Sequence, residues 1–176
     1  MDQLIIQSIG FLALFFVVLS FQKNSRGKLL FFMLVGISLF VIHYALLGAW
    51  IGSLMNIIEA ITVFVAYKKE TDSWAQKIFW LYAFVAIFII AGALTAKSLV
   101  DFLPVLAQIF GTIAVWQTKP RNIRLLMLVP RPLWLIYNIA VGSYAGITAE
   151  VFILLSVLVG ILRFDILGKP EKHAAK

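Results

Sequence analysis

The chain is 176 residues long and 62% hydrophobic, with a mean hydropathy of +1.01, and a water-facing fold of that size cannot cover apolar runs that continue along its whole length. This excludes a soluble domain and describes an integral membrane protein, whose first partner is the lipid bilayer. The formal charge of +7 would suit nucleic acid, but the basic residues sit in short connections between apolar spans, where they set orientation, so no nucleic-acid partner is expected. Because there is no cysteine, disulfides and thiolate metal sites are excluded as well.

Residues 3–22 are uncharged and long enough to cross the hydrocarbon core, roughly 30 Å, as a helix. They follow Asp2 instead of a basic segment, which argues against a cleaved signal peptide. Further apolar runs give seven spans in all, at about 3–21, 29–48, 51–67, 78–96, 101–117, 124–142 and 145–163. Continuous apolarity without alternation predicts helices, which satisfy their own backbone groups in lipid, and not the strands of a barrel.

With the N-terminus outside, the inner connections and tail carry Lys23, Arg26, Lys28, Lys68, Lys69, Lys77, Lys119, Arg121, Arg124, Arg163, Lys169, Lys172 and Lys176. Only Lys97 then lies outside and only Arg131 within a span, so an odd number of crossings with a cytoplasmic C-terminus is expected.

The first span ends in Phe21-Gln22 and a basic loop with Arg26, and the fifth ends in Trp116-Gln117 and a basic loop with Arg121, an offset of 95. Beyond a one-residue gap, His43-Tyr44, Gly48, Trp50, Gly52 and Asn56 fall opposite Tyr137-Asn138, Gly142, Tyr144, Gly146 and Glu150 at an offset of 94. The pattern predicts an internal three-helix repeat. Three crossings invert the chain, so the fourth span, apolar between Lys77 and Lys97, returns it and makes the two copies parallel.

The densest functional signal is Pro132-Leu133-Trp134-Leu135-Ile136-Tyr137-Asn138, with Glu150 sixteen positions after the tryptophan. A carboxylate in a span costs roughly 2.5–3.5 kcal/mol on insertion scales, so an inward-facing role is the default. A fainter copy, Phe40, His43 and Asn56, lies about 94 positions earlier with the same sixteen-residue spacing from Phe40 to Asn56.

The run Leu133-Trp134-Leu135-Ile136-Tyr137, with a polar residue sixteen after the tryptophan, resembles the repeat of SWEET and SemiSWEET sugar carriers and their PnuC vitamin-transporter relatives, and the three-plus-one-plus-three layout is similar to SWEET. His43-Tyr44-Ala45-Leu46-Leu47-Gly48, Tyr137-Asn138 with Gly142-Ser143 and Gly146, Glu150 and Arg163-Phe164 resemble the YgjV-type bacterial inner-membrane proteins over most of the chain. The carrier resemblance implies a substrate pocket lined by Phe40 and Asn56 from one repeat and Trp134 and Glu150 from the other, with Asn138 beside them. The carriers' Pro-Gln pair is missing: Gln7 follows Ile6, Gln108 follows Ala107, and only the second copy keeps a nearby proline, Pro104. Glu150 in place of a neutral amide argues against a simple sugar as ligand.

Trp134 with Glu150 suits a polar ring or a cation through stacking and cation–π attraction, or else Trp134 packs and Glu150 partners Arg131. Glu59, three residues after Asn56 on one helix face, is either a proton relay or a protonated hydrogen-bond donor. His43 either titrates or is a satisfied interhelical histidine. Arg131, between Pro130 and Pro132, pairs with Glu59, Glu150 or an anionic substrate group, or else snorkels to the cytoplasmic face. Gly48, Gly52, Gly142 and Gly146 are read as packing residues, and His173 as a tail residue.

The sequence thus predicts an all-α integral membrane protein of the bacterial inner membrane, with repeats at 1–69 and 99–166, a linker helix at 70–98 and a cytoplasmic tail at 167–176. The expected function is transport of a small polar or cationic solute (sugar, nucleoside or vitamin-like), with a non-transporting ligand binder or scaffold as the alternative. No enzyme, metal or cofactor motif is present. Assembly as a homo-oligomer stays open.

Overall fold

The apolar runs fold as helices throughout the computed structural model, which describes residues 3–96, 98–140 and 144–168. They are α1 (Gln3–Phe21), α2 (Arg26–Leu46), α3 (Trp50–Lys68), α4 (Phe79–Thr95), α5 (Phe102–Val115), α6 (Pro120–Leu126), α7 (Pro130–Ala140) and α8 (Tyr144–Gly160), with no strand among the described residues. Among the described residues five stretches can cross a bilayer by length and composition, Leu4–Phe21, Arg26–Leu46, Trp50–Lys68, Pro120–Ala140 and Gly146–Ile166. Phe79–Thr95 and Leu99–Val115 are shorter apolar helices; at 1.5 Å per residue each reaches about 26 Å, a little under the hydrocarbon thickness.

Two of the expected spans differ from a plain helix. The fifth begins as a tight 3-10 turn over Leu99–Asp101, where Ser98 and Asp101 cap one another. The sixth is broken between α6 and α7: Leu128 N–H donates to Leu125 O at 3.3 Å and Val129 N–H to Leu126 O at 3.2 Å, a tightened turn that delivers Pro130 to the first position of α7. There its missing N–H costs nothing and its fixed φ suits a helix start, so the proline pair begins a helix instead of kinking one. Beyond α8 the chain widens into a π turn, Ile161–Ile166, with Leu167 N–H donating to Leu162 O at 2.9 Å.

α1, α2 and α3 pack in sequence on one another, α7 packs on α5 and α8, and the two groups meet through α1 against α8 and α3 against α5. α4 rests on α5 and α3 and buries only Phe84, Phe88 and Gly92, one turn apart along one stripe. Phe79, Tyr82, Ile87, Ile90 and Leu94 stay exposed, a surface tolerable only in lipid. The α2–α3 turn uses Gly48 at φ +74°, a left-handed conformation that a side chain would strain. Lys97, Gly142, Ser143 and the tail with His173 lie outside the described residues.

The ends of α1, α3, α5 and α8 and the starts of α2 and α6 gather at one end of the bundle, where the basic residues are. Arg26 donates to Gln117 O at 2.7 Å, Val115 O at 3.1 Å and Ala66 O at 2.9 Å, and pairs with Glu70 at 3.3 Å. Lys69 donates to Trp116 O at 2.9 Å. Arg124 pairs with Asp165 and donates to Lys23 O at 3.3 Å.

Candidate functional site

A cavity lies among α1, α2, α3, α7 and α8, walled by Val17, Phe21, Met33, Ile37, Phe40, Tyr44, Asn56, Glu59, Met127, Arg131, Trp134, Ala149, Glu150 and Ile153. It offers roughly 40 Å³ to the centres of water molecules, enough for about three waters. A solute would have to widen it. Ten of the fourteen wall residues form pairs 94 positions apart: Met33 with Met127, Ile37 with Arg131, Phe40 with Trp134, Asn56 with Glu150, and Glu59 with Ile153.

Phe40, Asn56, Trp134 and Glu150 therefore share one chamber, and Glu59 and Arg131 share it with them. Arg131 Nη1 lies 3.1 Å from Glu150 Oε2 and 3.4 Å from Oε1, one turn of α7 before Trp134. Its guanidinium turns inward to this partner and does not snorkel, and its Nε has no hydrogen-bond partner among the described residues. Of the two carboxylates open to it from sequence, Arg131 takes Glu150.

Glu59 accepts a hydrogen bond from Gln108 Nε2 at 2.8 Å, and among the described residues no basic side chain forms an ion pair with it. Asn56 donates Nδ2 to Gly52 O one turn back at 2.8 Å, which leaves its amide oxygen as an acceptor.

Two expected site residues stand apart. Asn138 is 1% exposed and off the cavity wall, with neither amide atom partnered among the described residues. Gly146 lies against it, and a Cβ there would run into the amide. Gly52 faces the Tyr44 ring less tightly, a Cβ there coming within 3.1 Å of it, and Tyr44 is 94 positions before Asn138.

His43 is buried, its Nδ1 2.8 Å from Ile6 O, beside a smaller hollow that shares Phe40 and Ala149 with the main one. A carbonyl partner makes Nδ1 the protonated nitrogen. This is the satisfied interhelical histidine; it forms no ion pair among the described residues.

Sequence reasoning named Tyr44 and Gln108 without a place at the site and passed over the methionine pair, and it read Arg26 as an orientation signal and repeat landmark and Arg124 as an orientation signal. The 94-residue offset carried the signal for Met33 with Met127 and for Ile37 with Arg131. Gln108 was visible only as a departure from the carriers' motif; its contact with Glu59 needs the packing of α5 on α3.

A helical chain that has, among the described residues, five stretches long and apolar enough to span a bilayer, packed around a chamber whose wall includes Glu59, Arg131 and Glu150, is a polytopic membrane protein. It belongs to the YgjV family of bacterial inner membrane proteins, whose family model matches residues 4–167. No curated protein and no solved structure gives a match. Among the described residues no group of three or more His, Cys, Asp or Glu is placed to hold a metal ion.

Proposed function

We propose that this protein is a small-solute carrier of the bacterial inner membrane, working by alternating access around the chamber of Phe40, Asn56, Trp134 and Glu150. The observation that carries the reading is the wall itself, in which aromatic and polar groups from α2 and α3 stand with their counterparts 94 positions later from α7 and α8. That pairing supports two parallel three-helix units, 1–69 and 99–166, joined by a linker at 70–98 and followed by a tail at 167–176. It also supports the SWEET-like layout. The basic end, with Arg26, Lys69 and Arg124, is the cytoplasmic one, so the N-terminus is periplasmic.

Buried ionisable groups in a span mark solute or proton pathways by default. No step of bond-making is assigned to them, and the protein is not an enzyme on this reading. Saturable uptake into proteoliposomes tests it. Uptake should be lost in Glu150→Gln and in Trp134→Phe, with both variants monodisperse and folded; uptake unaffected by both removes the chamber from the transport path.

The small volume of the chamber favours a second reading, a membrane ligand binder or scaffold that keeps a carrier architecture without flux. Robust counterflow of any solute would remove it.

A further inference from the structure

The chamber holds two carboxylates, Glu59 and Glu150, and one guanidinium, Arg131. Arg131 is committed to Glu150 at 3.1 Å, whereas the hydrogen-bond partner that Glu59 has among the described residues is a neutral amide, Gln108, at 2.8 Å. The pairing of positions explains the imbalance: Arg131 stands opposite Ile37, and Glu59 opposite Ile153. The first half thus contributes a carboxylate with no cation, and the second a carboxylate that brings its own.

A carboxylate taken out of water carries a desolvation cost that either a bound proton or a counter-charge offsets. The same wall presents the aromatic side chains of Phe40, Tyr44 and Trp134, and the amide oxygen of Asn56 is left as an acceptor. Aromatic faces attract weakly hydrated organic cations, most strongly when the site is desolvated. A small metal ion would instead need several oxygen ligands held in place.

We infer that the solute is an organic monocation of the substituted-ammonium type, and that Glu59, not Glu150, is its counter-charge. This deepens the carrier reading and rests on the same chamber.

The test is equilibrium binding to the purified protein in dodecyl maltoside. The probes are methylammonium, tetramethylammonium and choline, with 3,3-dimethylbutan-1-ol as the uncharged isostere of choline. At least one cation should bind saturably, and Glu59→Gln should weaken it by roughly tenfold or more, equivalent to about 1.4 kcal/mol. Choline should outbind the isostere by a similar factor.

The comparison of choline with the alcohol needs only the unaltered protein, so it stands even if Glu59→Gln fails to fold. An isostere that binds as well as choline, a folded Glu59→Gln that binds undiminished, or no saturable binding by any of the three cations overturns the inference. The last result would mean that Glu59 is carried protonated. Cation binding without uptake in proteoliposomes would keep the site and remove the carrier. Uptake of a neutral sugar that survives Glu59→Gln would do the reverse.

Discussion

Arg124 grips Asp165 with two nitrogens, Nε at 2.9 Å and Nη2 at 2.5 Å, and their side chains are 1% and 6% exposed. The first is a basic residue of a loop-side helix and the second belongs to the π turn after α8, so the wide turn serves to bring a carboxylate to a buried guanidinium. Removing one partner of a buried pair strands the other charge, which costs about 3–5 kcal/mol. Asp165→Ala should therefore lower thermal stability sharply in detergent. The double variant Asp165→Ala with Arg124→Met should recover much of the loss, and losses that simply add would show that the two residues act separately.

The Arg131–Glu150 pair behaves differently because it faces the chamber. Arg131→Met leaves two carboxylates without a cation in one hollow, so it should destabilise more than Glu150→Gln does. Arg131→Met combined with Glu150→Gln should be more stable than Arg131→Met alone. Denaturation midpoints of the four proteins, compared as a cycle, check this order.

Gly146 admits the Asn138 amide where a methyl group would collide with it. Overpacking of this kind costs about 1–3 kcal/mol. Gly146→Ala should lower the melting temperature, and adding Asn138→Ala should restore it. A melting temperature unchanged by Gly146→Ala would mean that α7 and α8 have room to part.

His43 gives Ile6 O its side-chain partner between α1 and α2. In His43→Phe that carbonyl loses its extra hydrogen bond and the ring must fit beside Gly10, so a loss of about 1–3 kcal/mol is expected. Uptake in the surviving folded fraction should persist, because the residue lies off the main chamber. Abolished uptake with intact folding would place His43 in the transport path.

Much of this architecture was legible from residues alone. Apolar runs located the helices to within a few residues, though among the described residues only five of the seven stretches are long and apolar enough to cross a bilayer, and Asn56 and Glu150, 94 positions apart, line one wall. The break before Pro130 was half visible. Prolines announce a disruption, but only the tightened turn at 127–129 shows that the disruption precedes them. Partner choice was not legible: Arg131 had two carboxylates within plausible reach, and the packing of α5 on α3 supplied Glu59 with an amide instead. Asn138 sits one turn beyond Trp134, yet it turns toward Gly146, a helix-facing detail that spacing does not fix.

The polar stitching between α1–α3 and α5–α8 is lopsided. Gln22 to Ser156, Ser156 to Val18, Arg26 to Val115 and Gln117, Lys69 to Trp116 and Arg124 to Lys23 all lie toward the basic end, and Gln108 to Glu59 ties the two groups deeper in. Lipid tails can replace apolar helix contacts at little cost, so these polar ties are what hold α1–α3 to α5–α8 at that end. The molecule is stitched where its basic residues gather.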